Sequence, residues 1–132
     1  MSAVPLLFDA FRPGADMGAA TERVDAALLA RWRELYPWDE PAPREAPAAV
    51  ATVLIMRAYM KVIAPRPPGN IHARQRTELA ALPRLGEEVT TRFRCSGKEL
   101  RKERRYVQLA TRSTGEAGRL LFTSAMTLIW AA

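Results

Sequence analysis

One cysteine and one histidine among 132 residues remove whole classes of chemistry. A lone Cys95 forbids an internal disulfide, and with His72 it falls short of the three or four side chains that hold an ordinary zinc ion, so no metal site is expected. No secretory leader is expected, because Met1 to Phe11 lacks a basic start and Asp9 and Arg12 interrupt it before any long apolar run develops. The cytoplasm is the expected location. Only Ala46 to Ala64 is apolar enough to suggest a membrane span. It lies near the lower length limit and carries Arg57 and Lys61, so a buried helix is the better reading and no membrane role is expected.

What is present fits one domain covering residues 1–132, since 48% hydrophobic content supports a real core in a chain too short for two ordinary ones. The net charge of +6 arises from 20 Lys and Arg against 14 acids, with much of the excess between Arg92 and Arg112. Such a surface attracts anions.

Residues 1–16 read as an extended lead-in, with a turn at Pro13-Gly14. Asp25 can cap a first helix whose apolar positions Leu28, Trp32 and Leu35 recur at three- and four-residue spacing, widened by Leu29 and Tyr36. This helix should end near Pro37. The stretch Pro37 to Pro47 contains four prolines and four charged residues and is a stiff loop. A second helix is predicted over about 47–64. It is apolar in every direction except the stripe of Arg57 and Lys61, and so should be surrounded by protein.

After Pro65-Arg66-Pro67-Pro68-Gly69 the period becomes two. Strands are predicted over about 70–82, 88–95, 104–113 and 119–131, with turns at Gly86, Ser96-Gly97 and Gly115 to Gly118. Strict alternation puts His72 with the charged face, opposite Ile71 and Ala73. Leu120 to Trp130 is apolar on both faces and should be central or interfacial. Consecutive antiparallel pairing is the simplest topology.

An α+β chain with a long central apolar helix wrapped by a curved antiparallel sheet is the hotdog arrangement. Pro68-Gly69-Asn70-Ile71-His72-Ala73-Arg74-Gln75 and Pro83-Arg84-Leu85-Gly86-Glu87-Glu88-Val89 resemble the post-helix strand and the Pro-x-x-Gly-acidic turn of MaoC-like dehydratases, and Leu121 to Trp130 is similar to their last strand. The resemblance implies an acyl-thioester protein of fatty-acid or polyketide metabolism, with coenzyme A or phosphopantetheine as part of the substrate and no further cofactor. It also implies a homodimer, or a heterodimer with another hotdog subunit, that forms a tunnel for acyl-CoA or an acyl chain on acyl carrier protein.

The enzymes of this family, enoyl-thioester hydratases and 3-hydroxyacyl-thioester dehydratases, use an Asp and a His within Gly-Asp-x-Asn-Pro-x-His ahead of the central helix. A base activates water while the alkene is protonated, and a helix N-terminus holds the developing oxyanion. Here the stretch reads Tyr36-Pro37-Trp38-Asp39-Glu40-Pro41-Ala42-Pro43-Arg44, with Asp39 in the aspartate's place and Arg44 in the histidine's. Arginine stays protonated and cannot act as the ordinary base, so the dyad is degenerate.

Asp39 and His72 are the candidate catalytic residues. Trp38 is a candidate for lining the tunnel, and Arg92, Arg94 and Arg104 for gripping phosphate. Arg57 and Lys61 read as a snorkelling pair or as a substrate clamp. A non-catalytic partner subunit of a hydratase is the alternative role. Two further classes are a basic nucleic-acid-binding protein, for which no RNA-binding aromatic motif or helix-turn-helix is present, and an NTF2-like cone, whose three-helix start is poorly matched.

Overall fold

The computed structural model describes residues 4–37 and 46–132. The chain forms β1 (Asp16–Arg23), α1 (Ala26–Leu35), α2 (Val50–Val62), β2 (Ile71–Leu79), β3 (Glu88–Arg101), β4 (Arg104–Thr114) and β5 (Leu120–Trp130). The strands make one antiparallel sheet in the order β1-β3-β4-β5-β2, and α2 lies against its inner face. This is the hotdog fold.

Asp25 caps α1 as its sequence position suggests, its carboxylate accepting a hydrogen bond from the Leu28 amide at 2.8 Å. The second helix begins later than predicted. The amides of Val50, Ala51 and Thr52 donate to the carbonyls of Pro47, Ala48 and Ala49, three residues back, so the chain enters α2 through a tighter, 3-10-like turn. Leu54, Ile55 and Ala58 of α2 are fully buried and Tyr59 meets Phe93 across a centroid distance of 6.4 Å. Leu54 and Ile55 each contribute about 1.5–3 kcal/mol by leaving water, and the single methyl of Ala58 about 0.8 kcal/mol. One side of α2 is uncovered, however: Met60 is 57% exposed, and Arg57 and Lys61 are exposed beside it. The helix is therefore not surrounded by this chain alone.

Three strand expectations are corrected. The lead-in gives way at Asp16 to β1, a strand that its Gly-Ala-Ala composition conceals from a hydrophobic-alternation reading. Ser96-Gly97 is not a turn. The register passes from Cys95↔Leu109 to Gly97↔Gln108, so Ser96 is a bulge inside a longer β3, and the reversal falls at Lys102-Glu103, whose φ angles of 50° and 65° are those of a two-residue hairpin turn. Finally, β2 pairs with β5 rather than with β3. Strand β5, apolar on both faces, thereby gains a neighbour on each side, while the largely polar β2 takes the edge.

The N-terminal segment is docked. The Leu6 carbonyl accepts a hydrogen bond from Trp130 Nε1 at 2.8 Å, and Phe11 packs edge-on against the Trp130 ring at 4.9 Å.

Candidate functional site

The helix pair builds an apolar groove. In α1, Leu28 and Leu29 face the core, but the same stripe continues to Leu35, which is 69% exposed. Leu28, Trp32, Leu35 and Tyr36 form one wall of a cavity of about 340 Å³; Val53 forms the other, with Arg31 and Arg57 also lining it. The Trp32 and Tyr36 rings stack at 4.6 Å with a 37° tilt. The volume falls within the common range for small-molecule sites, and apolar walls with two cations suit an amphiphilic anion. Arg57 and Lys61, alike in sequence, separate here: Lys61 pairs with Glu22 of β1 at 2.5 Å, while Arg57 is left to the groove. Arg31 joins the groove without any sequence signal, because a single arginine on a surface helix is commonplace.

Trp38, Asp39 and Arg44 lie outside the described residues. In sequence, Asp39 follows the groove residue Tyr36 by three positions.

His72 does not sit where simple alternation puts it. Ile71 pairs with Ile129 and His72 with Leu128, but Arg74 pairs with Thr127, leaving Ala73 as a bulge. Residues directly opposite one another share a face, and Leu128 is buried in the core, so His72 lies on the inner face of the sheet. Beyond the bulge, Gln75, Thr77 and Leu79 continue that inner row opposite Met126, Ser124 and Phe122; Arg74, Arg76 and Glu78 form the outer one. The side chain of His72 is exposed, because β2 is the edge strand and α2 contacts chiefly β1 and β3.

The predicted phosphate-gripping arginines all lie on the opposite side of the sheet from the groove, but they are not brought together: Arg92 and Arg94 pair with Arg112 and Ala110, whereas Arg104 pairs with Arg101 at the hairpin end of β4. Arg92, Arg94 and Arg104 belong to the outer rows of β3 and β4, whereas Phe93 and Val107 of the same strands face α2. Arg92 is held by Asp16 at 2.6 Å, a contact that, after the Gly18 amide, helps keep the Asp16 carboxyl below its ordinary pKa. Nearby, Ala73, Arg74, Glu99, Arg101, Tyr106 and Gln108 surround a polar concavity of about 300 Å³. Arg101 lies 4.8 Å over the Tyr106 ring and, as the first of several cationic causes, lowers the phenol's pKa. The outer face thus carries two basic regions, one around Arg92, Arg94 and Arg112 and one around Arg74, Arg101 and Arg104, both on the side away from the groove.

Among the described residues no cluster of three His, Cys, Asp or Glu could hold a metal, and no helix is long and apolar enough to cross a membrane.

No protein-family model matches the chain, and no curated protein sequence matches it. Solved structures do match. The R-hydratase PhaJ1 from Pseudomonas aeruginosa superposes with a TM-score of 0.80 at 16% identity, covering 96% of this chain and 86% of that one. A MaoC-like dehydratase from Rhodospirillum rubrum gives 0.79 at 17% identity, covering 96% and 98%. The C-terminally truncated HadBC (3R-hydroxyacyl-ACP dehydratase) complex from Mycobacterium tuberculosis gives 0.67 at 16% identity, covering 88% and 98%. The chain thus has the hotdog fold of MaoC-like dehydratases over nearly its whole length, and the NTF2-like alternative is set aside.

Proposed function

We propose that this chain binds acyl thioesters, carried on coenzyme A or on an acyl carrier protein, as one subunit of a hotdog assembly of the hydratase and dehydratase type. The observation that carries this reading is the groove between α1 and α2, where apolar walls suit an acyl chain and Arg31 and Arg57 suit the phosphates of its carrier. With Arg44 where the resemblance requires a histidine, the family's acid and base are incomplete in this chain. A partner subunit supplies them, while this chain shapes the tunnel and contributes Trp38 and Asp39. Similarity to the HadBC dehydratase complex supports a role within an assembly. On the outer face, Arg92 and Arg94, and Arg104 further along β4, offer cationic points for docking an acidic carrier protein.

A second reading rests on one observation. The bulge at Ala73 turns the only histidine onto the inner face, where it could replace the missing base and work with Asp39 on an enoyl thioester. That reading makes the chain a lyase in its own right.

Calorimetric titration with crotonyl-coenzyme A and with free coenzyme A, followed by absorbance assay of enoyl hydration, separates the readings. Thioester binding without hydration, weakened about tenfold by Arg57→Ala as expected for one lost charge-assisted contact, is the outcome for a non-catalytic subunit. Hydration abolished by His72→Ala supports the second reading, and neither binding nor turnover refutes both.

A further inference from the structure

The polar concavity of about 300 Å³ on the outer face of the sheet plays no part in the groove between the helices. Arg74 of β2 and Arg101 of β3 stand on opposite sides of it. Their strands are separated by β5 and β4, about 14 Å at the usual spacing of ~4.8 Å between paired strands, so two long guanidinium side chains reach toward one floor from both sides. Thr127 of β5 is that floor. Gln108 pairs with Thr127 on one side and with Gly97 on the other, and a Cβ built at Gly97 would lie 3.2 Å from Gln108 Oε1. The glutamine therefore leans over the glycine, and the space above Thr127 stays open.

The walls carry charge of both signs. Arg74 and Arg101 take part in none of the ion pairs among the described residues. Arg101 is nevertheless held in place: it lies 4.8 Å over the Tyr106 ring, and its charge is stabilised first by the Tyr106 hydroxyl and then by the Glu99 carboxylate. Guanidinium groups only donate hydrogen bonds, a carboxylate only accepts them, and the Gln108 amide does both. A bare anion would satisfy the arginines but meet the repulsion of Glu99. A molecule that carries an anionic group beside hydroxyls satisfies every wall. For the anionic group, a phosphate can accept from two forked guanidinium groups approaching from two sides, which a carboxylate with two oxygens does less well. The volume sits at the lower end of the range for small-molecule sites and suits one sugar unit.

We propose that this concavity is a second ligand site, which takes a small phosphorylated sugar: Arg74 and Arg101 grip the phosphate, while Glu99 and Gln108 hold the sugar hydroxyls over Thr127. The site goes beyond the acyl-thioester reading and stands without it, since it shares no residue with the groove.

Ribose 5-phosphate is titrated into the full chain and followed through backbone amide shifts by nuclear magnetic resonance, with ribose and inorganic phosphate as its separate halves. The expected result is saturable shifts at Arg74, Glu99, Tyr106 and Gln108, with an affinity at least about tenfold above that of either half. Arg101→Ala should weaken binding about tenfold, as for one lost charge-assisted contact. Glu99→Gln divides the two contributions: it should weaken ribose 5-phosphate, whose hydroxyls lose an acceptor, but not inorganic phosphate, which loses a repulsion. Arg112→Ala removes an equal charge from the same face, away from the concavity, and should leave the affinity unchanged. Circular dichroism establishes that each variant is folded. Free coenzyme A carries a phosphorylated ribose of its own and distinguishes the sources; it should shift amides of α1 and α2 and leave ribose 5-phosphate binding as it was. Displacement of ribose 5-phosphate by coenzyme A would make the concavity the nucleotide end of the first site and overturn the proposal. So would the absence of saturable shifts, inorganic phosphate binding as tightly as the sugar phosphate, or equal weakening by Arg112→Ala. Ribose 5-phosphate binding without any response to coenzyme A or crotonyl-coenzyme A refutes only the acyl-thioester reading.

Discussion

Replacing Glu87 with glutamine should cost this fold more than any other single-atom exchange at its polar groups. The carboxylate is 1% exposed and closes three connections at once: Oε1 accepts from the Arg84 amide at 2.9 Å and from Arg119 Nη2 at 2.7 Å, and Oε2 accepts from the Glu116 amide at 2.9 Å. It thereby ties the turn before β3 to the connection between β4 and β5. Burial pushes its pKa up, but the two amides and the guanidinium outweigh that and hold it below the ordinary value. In Glu87→Gln the amide NH2 must face at least one of these donors. Losing a charge-assisted hydrogen bond costs about 1.5–3 kcal/mol. Leaving Arg119 without its anion adds less than for a fully buried cation, because its side chain is 28% exposed. The expected total is about 2–4 kcal/mol, or a fall in Tm of roughly 6–15 °C for a domain of this size, read by urea and thermal unfolding at pH 7. The pH dependence has a definite sign. A carboxylate with a depressed folded pKa contributes fully above the unfolded value of about 4.3, and the contribution fades as pH falls through the folded pKa. The difference between wild type and Glu87→Gln should therefore be flat from about pH 6 to 8 and shrink below about pH 4. A cost under about 0.5 kcal/mol at pH 7, or a gap unchanged in strong acid, would refute the reasoning.

A methyl group on Gly115 would collide with the Glu87 carboxylate, so Gly115→Ala should destabilise the wild type by about 1–3 kcal/mol and the Glu87→Ala background much less, a coupling that a double-mutant cycle measures. Lys102 and Glu103 hold positive φ at the hairpin tip, a conformation suited to Asn-Gly, and Lys102→Asn/Glu103→Gly should raise stability by about 0.5–1 kcal/mol in urea unfolding. Leu54, 1% exposed in the middle of α2, should cost about 2–5 kcal/mol when cut to alanine; a smaller loss would mean that the helix does not occupy the centre of the core.

Apolar periodicity made the inner layer legible in the sequence. The near-continuous run through Leu54, Ile55 and Ala58 could only be a core helix, and the two-faced β5 could only be an interior strand, because burial dictates both patterns. The edges were harder to read. The small residues of β1 carry almost no hydrophobic signal, and Ser96-Gly97 has the composition of a turn although neighbouring pairs absorb it as a bulge. The candidate site divides along the same line. Arg57 stands out against an apolar helix, whereas Leu35 and Tyr36 read as ordinary core stripe and line the groove, because nothing in a helix's own sequence reports how far its apolar stripe is covered.

The face of His72 depends on the same local physics and shows how one residue can redirect a functional argument. Counting by twos from Glu78 through Arg74 reaches His72 on the outer row, and only the extra residue at Ala73 reverses it. A bulge costs ladder hydrogen bonds and has no obligatory residue type, so sequence pattern is blind to it. Its consequence is chemical as well as geometric. On the outer row His72 would join Arg74 and Arg76 in a basic patch. On the inner row it stands beside Gln75 and Leu128, on the face that carries the helix and away from those arginines. The edge strand therefore presents two chemically different surfaces: an outer row of Arg74, Arg76 and Glu78, and an inner row of His72, Gln75, Thr77 and Leu79.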